Sequence, residues 1–233
     1  GATVSPVTTV PLKVEYGCRI SDEFLYASES VQLDYMQAFS DGFARKLAKG
    51  IDLMAFHGIN PRTATASTVI GAKVDQIVTI AASDTPDANI ESAIALVQAQ
   101  EYDVTGLVMA PAFKANLAKM TTTDGRKLYP ELAWGAAPGT INGLRVQSNM
   151  TLSANSSLDR ALVGDFSYFR WGFAKEIPIE IIKYGNPDND TTLGDLKGHN
   201  QIYLRAEAYV GWGILAPKAF ALIKAAASGG ESV

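Results

Sequence analysis

The chain has 233 residues and sets 20 Lys+Arg against 24 Asp+Glu, a formal net charge of −4, with 47% hydrophobic and 19% charged residues. That length and composition support a buried core and argue against disorder, and a mildly acidic chain without a Lys/Arg run is not a dedicated DNA-binding domain. One cysteine excludes an internal disulfide or a cysteine zinc cage, and two histidines leave a protein-only zinc site short of ligands.

Pro11 to Ile20 reads as a strand, with Leu12, Val14 and Tyr16 on one face and Lys13 and Glu15 on the other. From Ser30 to His57, apolar residues at Met36, Phe39, Phe43, Leu47, Ile51 and Met54 trace one stripe of an α-helix. Ser28 or Ser30 can cap its start, and Gly58 followed by Pro61 supplies the stop. At 1.5 Å per residue this rod is roughly 40 Å long, far beyond an ordinary helix. Gly42 and Gly50 weaken it, so packing must hold it.

Ile59 to Ala82, rich in Thr, Ala, Ser and Gly, reads as a linker with a strand at Gln76 to Ile80. Thr85-Pro86 opens a second helix, with Ile90, Ala93, Ile94 and Val97 on one face. Gly106 to Met109 is a short buried strand, and Pro111 opens a helix that carries Phe113, Leu117 and Met120. After a turn at Asp124-Gly125, strands are expected at Ile141 to Thr151 and Arg160 to Val163. A long β pair follows, Ile177 to Ile181 and Gln201 to Val210. In its second strand Ile202, Leu204, Ala206, Ala208 and Val210 face one way, and Tyr203, Arg205, Glu207 and Tyr209 the other. That second face is either an ordinary solvated surface or one suited to a protein partner. The loop between the strands, Lys183 to Asn200, is long enough to be functional or mobile.

Catalytic motifs are absent or broken. Gly164-Asp165-Phe166-Ser167 places Phe where a hydrolase nucleophile would stand, and reads as a turn. Asp188-Asn189-Asp190 fails the calcium-loop pattern at Thr192 and Leu193. Gly194 to Gly198 lacks the phosphate-loop spacing. His57 sits at a helix end, where a cation helps the macrodipole, and His199 lies in the long loop. Cys18 beside Arg19 reads as a half-buried strand residue. Trp134, Trp171 and Trp212 read as packing anchors.

The order of these segments carries a resemblance. A strand leading into Ile20-Ser21-Asp22-Glu23-Phe24-Leu25, then a long helix ending Ile51-Asp52-Leu53-Met54-Ala55-Phe56-His57-Gly58, resembles the start of tailed-bacteriophage major capsid proteins. Gly106 to Pro111 with the following helix and Asp124-Gly125-Arg126 is similar to that family's axial strand, helix and turn. Ile141 to Val146, Ala161 to Phe166, Arg205-Ala206-Glu207 and Ala216 to Phe220 continue the match to the end of the chain.

The resemblance implies an α+β chain of the Hong Kong 97-type capsid fold. Its peripheral domain takes 14–58 and 175–212, with the spine helix at 30–57, and its axial domain takes 59–174 and 213–233. It implies a structural subunit and no enzyme, expected to need no cofactor, catalytic residue, metal or membrane. Copies gather in pentamers and hexamers of an icosahedral virion shell assembled in the bacterial cytoplasm, enclosing double-stranded DNA without sequence-specific binding. Scaffolding, portal or decoration proteins are further expected partners. The candidate contact residues are Tyr184, Asp188, Asp195, Lys197, Tyr203, Arg205, Glu207 and Tyr209. An encapsulin-type nanocompartment shell and a soluble α/β enzyme are the competing readings. The family carries an N-terminal arm and an extended loop ahead of the spine helix, of which 1–13 reads as a remnant. A truncated chain, monomeric or in small oligomers, is therefore expected.

Overall fold

A computed structural model describes residues 10–70, 73, 78–82, 85–137, 139–154, 159–176 and 178–225. The chain forms two units, one built on 52–170 and the chain from 212 onward, the other on 9–51 and 171–211.

The first unit holds a six-stranded sheet. Its strands are β2 (Val78–Ala82), β3 (Gly106–Met109), β4 (Thr140–Ile141), β5 (Leu144–Ser148), β6 (Asp159–Gly164) and β10 (Phe220–Ala225), in the order β2-β10-β6-β3-β5-β4. β10 pairs parallel with β2 and antiparallel with β6, while β3 pairs antiparallel with β6 and parallel with β5. The three central strands read as continuous apolar runs because both of their faces are buried. Leu107, Met109, Ala161, Val163, Ala221 and Ile223 pack with residues of α2 (Pro86–Gln98) and α3 (Pro111–Lys119), Val97 and Leu117 among them. Their alternates Leu162, Phe220 and Leu222 pack on Leu152 and Ile214, with Val108, Phe56 and Phe166 against them.

The second unit holds β1 (Leu12–Ser21), β7 (Phe169–Glu176), β8 (Glu180–Ile182) and β9 (Gln201–Ile214), with both β1 and β8 antiparallel to β9. The helix α1 (Glu29–His57) supplies Met36, Phe39 and Phe43, which pack on Tyr16, Cys18, Ile20, Leu204 and Ala206. Tyr16 lies between two helix aromatics, its ring centroid 5.2 Å from Phe39 and 6.2 Å from Phe43. The Ser28 carbonyl accepts the first helical bond from Gln32 at 3.0 Å. At the other end Gly58 turns left-handed at φ +65°, and its N–H closes on the Met54 carbonyl at 2.9 Å.

Three expected strands differ from those observed. Ile141 to Thr151 is broken, because Asn142 and Gly143 take φ 48° and 83°. Positive φ at both residues makes the two-residue hairpin that joins β4 to β5. Asn149 then accepts the Thr151 N–H and starts the 3-10 turn Met150–Ser153. In the β pair, Ile177 lies outside the described residues, and the partners of β9 are β7 and β8 on either side of Pro178, whose missing N–H cannot extend a ladder. Gln76 and Ile77 also lie outside the described residues, and β2 occupies Val78–Ala82. β10 was not expected as a strand at all.

Leu162 is 1% exposed, whereas Leu128 is 40% exposed. Leu162→Ala is expected to cost about 2–5 kcal/mol, and Leu128→Ala to stay within about 0.5 kcal/mol. Equilibrium chemical denaturation of both variants checks the difference.

Candidate subunit interface

The outward face of the second unit is built on the residues of β1 and β9 that point away from α1. Register sets Lys13 opposite Tyr209, Glu15 opposite Glu207, Gly17 opposite Arg205 and Arg19 opposite Tyr203. The charges on this face answer one another. Arg205 donates to Glu180 at 2.7 Å and lies 3.4 Å from Glu207, and Lys13 bridges Glu207 and Glu15. The hydrogen bond to Glu207 is the first reason the Lys13 ammonium is held above its usual range.

Arg19 organises the end of this face. Its Nε donates to Asp188 Oδ2 at 2.9 Å and its Nη2 to Asp188 Oδ1 at 2.6 Å, the two-pronged geometry that a guanidinium offers a carboxylate. Nη2 also reaches Asn186 Oδ1 at 2.7 Å and the Gly194 carbonyl at 2.9 Å, and Nη1 reaches Gln201 Oε1 at 3.3 Å. One side chain thus holds the Lys183–Asn200 loop at three of its residues. The Arg19 hydrogen bond, ahead of other causes, lowers the Asp188 carboxyl to about 2.

The loop is also bonded to itself. Asp190 Oδ1 accepts the N–H groups of Thr192 and Leu193, and Asn186 exchanges side-chain hydrogen bonds with the Asp190 backbone. Asp195 accepts from the N–H groups of Gly185, Lys197 and Gly198. Leu196, fully buried, bonds through its N–H to the Gly185 carbonyl and accepts from Gln201. Asp188-Asn189-Asp190 is therefore occupied by Arg19 and backbone amides. Among the described residues no cluster of three or more His, Cys, Asp or Glu could hold a metal ion.

The eight candidate contact residues fall into three groups. Tyr184 is 70% exposed, and the Lys197 side chain is 64% exposed beside Asp22 at 3.7 Å. Asp188, Asp195, Arg205 and the half-buried Tyr209 shape the loop and face. Tyr203 and Glu207, expected on a partner-ready surface, are corrected: they are 6% and 9% exposed. The Tyr203 ring lies over Gly17, where an added Cβ meets its ring and hydroxyl, and Glu207 is enclosed by Lys13 and Arg205. Alternation places a residue on a face but does not say what covers that face. Arg19 was missed; the available signal was a strand arginine in a chain whose long loop carries Asn186, Asp188 and Asp190.

The remaining reactive side chains are structural. Burial pushes the half-buried Cys18 thiol up, away from thiolate chemistry. In the first unit His57 is 3% exposed. Its Nε2 donates to the Thr151 carbonyl at 2.8 Å, and its Nδ1 lies 3.8 Å from Asp159. Asp52 accepts from Asn149 at 2.7 Å and Thr151 at 3.1 Å, so both histidine and aspartate tie the helix end to the same turn. Of the tryptophans only Trp212 is the expected buried anchor; Trp171 is 58% exposed and Trp134 stands fully in solvent.

Gly17→Ala is expected to cost about 1–3 kcal/mol, because the Tyr203 ring must leave its site; denaturant melts measure this. The depressed Asp188 acid makes its pairing with Arg19 fully stabilising above the ordinary carboxylate range, and that contribution is lost as pH falls through about 2. Pepsin digestion should therefore spare the loop near pH 4 and cut within 183–200 as the pH approaches 2. Arg19→Ala should be cut there already at pH 4.

The profile of the phage capsid family matches residues 5–225. Among solved structures, a chain from Mycobacterium phage Ogopogo is 34% identical, with a TM-score of 0.80 over 95% of this chain and 78% of that one. A chain from Gordonia phage Cozz is 24% identical, with a TM-score of 0.77 over 94% and 71%. A structure titled as the capsid of an empty GTA particle computed with C5 symmetry shares the fold at a TM-score of 0.65 and 16% identity, over 97% and 79%. No curated protein matches the chain. Together these favour a capsid shell over a nanocompartment. The chain belongs to the phage capsid family, as a major capsid protein whose copies assemble into the shell of a virion.

Proposed function

We propose that copies of this chain meet through the loop Lys183–Asn200 and the exposed part of the β1–β9 face. Such contacts join subunits head to tail into pentamers and hexamers and these into an icosahedral shell, since heterologous interfaces close into rings when their rotation permits. The observation that carries this reading is a loop fixed before any partner arrives. Arg19 and three internal side-chain caps hold its backbone, while Tyr184 and Lys197 stay exposed. A preformed loop loses little further conformational freedom on docking, which leaves more of the contact energy for association. In this reading the subunit performs no catalytic step and needs no cofactor. It is assembled in the host cytoplasm, and its net charge of −4 suits a shell that surrounds double-stranded DNA without gripping phosphates.

Tyr184→Arg and Lys197→Ala in the full-length protein test this. Both are expected to reduce closed shells, counted by electron microscopy, by about tenfold while leaving the denaturation midpoint of the isolated subunit unchanged. Shells at the parental yield from both variants would overturn the loop's role.

A further inference from the structure

Trp134 is the most exposed large hydrophobic side chain among the described residues of the first unit, and its backbone is held at φ 59°, ψ 25°. A bulky residue in the left-handed region costs of order 1–3 kcal/mol and persists where its surroundings impose it. Here they do: Pro130–Gly135 is a kinked 3-10 segment, and Lys114 Nζ of α3 donates to the Gly135 carbonyl at 3.2 Å. In this conformation the indole lies fully in solvent.

The same unit carries an open cleft of about 550 Å³, lined by Asn89, Ala112, Phe113, Asn116, Lys119 and Arg160 among others. Its chemistry matches an indole. Lys119 and Arg160 offer cations to a π face, and Asn116 offers an amide oxygen to the indole N–H, above the buried Phe113. Position on α3 separates knob from cleft. At 100° per residue, Ala112, Asn116 and Lys119 share one flank of the helix, and Lys114, which holds the Trp134 segment, points from the opposite flank. A copy therefore presents its tryptophan on one side of α3 and its cleft on the other.

We propose that Trp134 of one copy inserts into the cleft between α2 and α3 of the next copy. This rests on the reading that copies of this chain assemble, and it names a second contact, in the first unit, independent of the Lys183–Asn200 loop. The polarity, tryptophan forward and cleft behind, is that of a heterologous contact that repeats around a ring. An exposed tryptophan entering a cleft with two cations has the composition of an interface hot spot.

The test uses the full-length protein with Cys18→Ser as background. The pair Ala136→Cys and Asn116→Cys, which keeps Trp134 and is placed in one chain, is expected to give disulfide ladders of multiple subunits after mild oxidation of assembled shells. Each single cysteine should give dimers at most. Separately, Trp134→Ala should lower shell yield about tenfold or more, with Trp134→Phe recovering part of it and subunit melting unchanged. Shells that form normally with Trp134→Ala and show no ladder in the double variant would overturn the proposal while leaving self-assembly intact. If the parental protein forms no shells under any condition, the assembly reading fails, and this contact fails with it.

Discussion

The second unit depends on where one guanidinium finds its acceptors. Arg19 leaves β1 on the face away from α1 and meets Asp188, Asn186 and the Gly194 carbonyl, all in a loop remote in sequence. This long loop has only one short 3-10 turn of its own, Lys197–His199, and needs further anchors to keep one conformation. Here a single planar cation with several fixed donors replaces the missing ladder, and lysine could not, because it lacks the fork. The Asp190 and Asp195 caps hold the remainder of the loop from within.

β9 shows how one strand separates two kinds of energetics. Its Leu204 and Ala206 enter the apolar contact with Phe39 of α1, where burial supplies the stabilisation. Its other face carries Arg205 and Glu207, matched by Glu180 and Lys13 on the neighbouring strands. Those charges are paired with one another inside the subunit. The exposed groups lie elsewhere: Tyr184 and Lys197 in the loop of the second unit, and in the first the indole of Trp134 on a kinked segment.

The legible parts of the sequence were those in which a period or a stop signal acts alone. The apolar steps from Met36 to Met54 predict α1, and Gly58 ends it as expected. Thr85-Pro86 and Ala110-Pro111 likewise mark the starts of α2 and α3. The strands failed where tertiary contacts decide. Ala219-Phe220-Ala221-Leu222-Ile223 has no alternation, because β10 is covered on both sides, and a continuous apolar run reads equally as buried helix. The Asn142-Gly143 reversal was written in the sequence but hidden inside an apolar stretch. At the candidate interface, the loop was found from its length and composition, whereas its anchor was not, since Arg19 is separated from Asp188 by most of the chain. The burial of Tyr203 and the exposure of Trp134 depend on which neighbours arrive, and no local pattern records that.

The place of β10 also has a consequence for the timing of synthesis. The last described strand is not added to an edge of the six-stranded sheet; it lies between β2 and β6 and joins them. Until residues 220–225 leave the ribosome, β2 has no partner in that sheet and β6 lacks one of its two, with Ala161 and Val163 missing their neighbours Ala221 and Ile223. A nascent chain thus cannot complete this unit early, and such late, non-local closure is slow relative to local helix formation. The cost is a period of exposed strand edges during translation. The consequence is that a copy terminated before residue 220 lacks the strand that joins β2 to β6 and cannot complete this sheet.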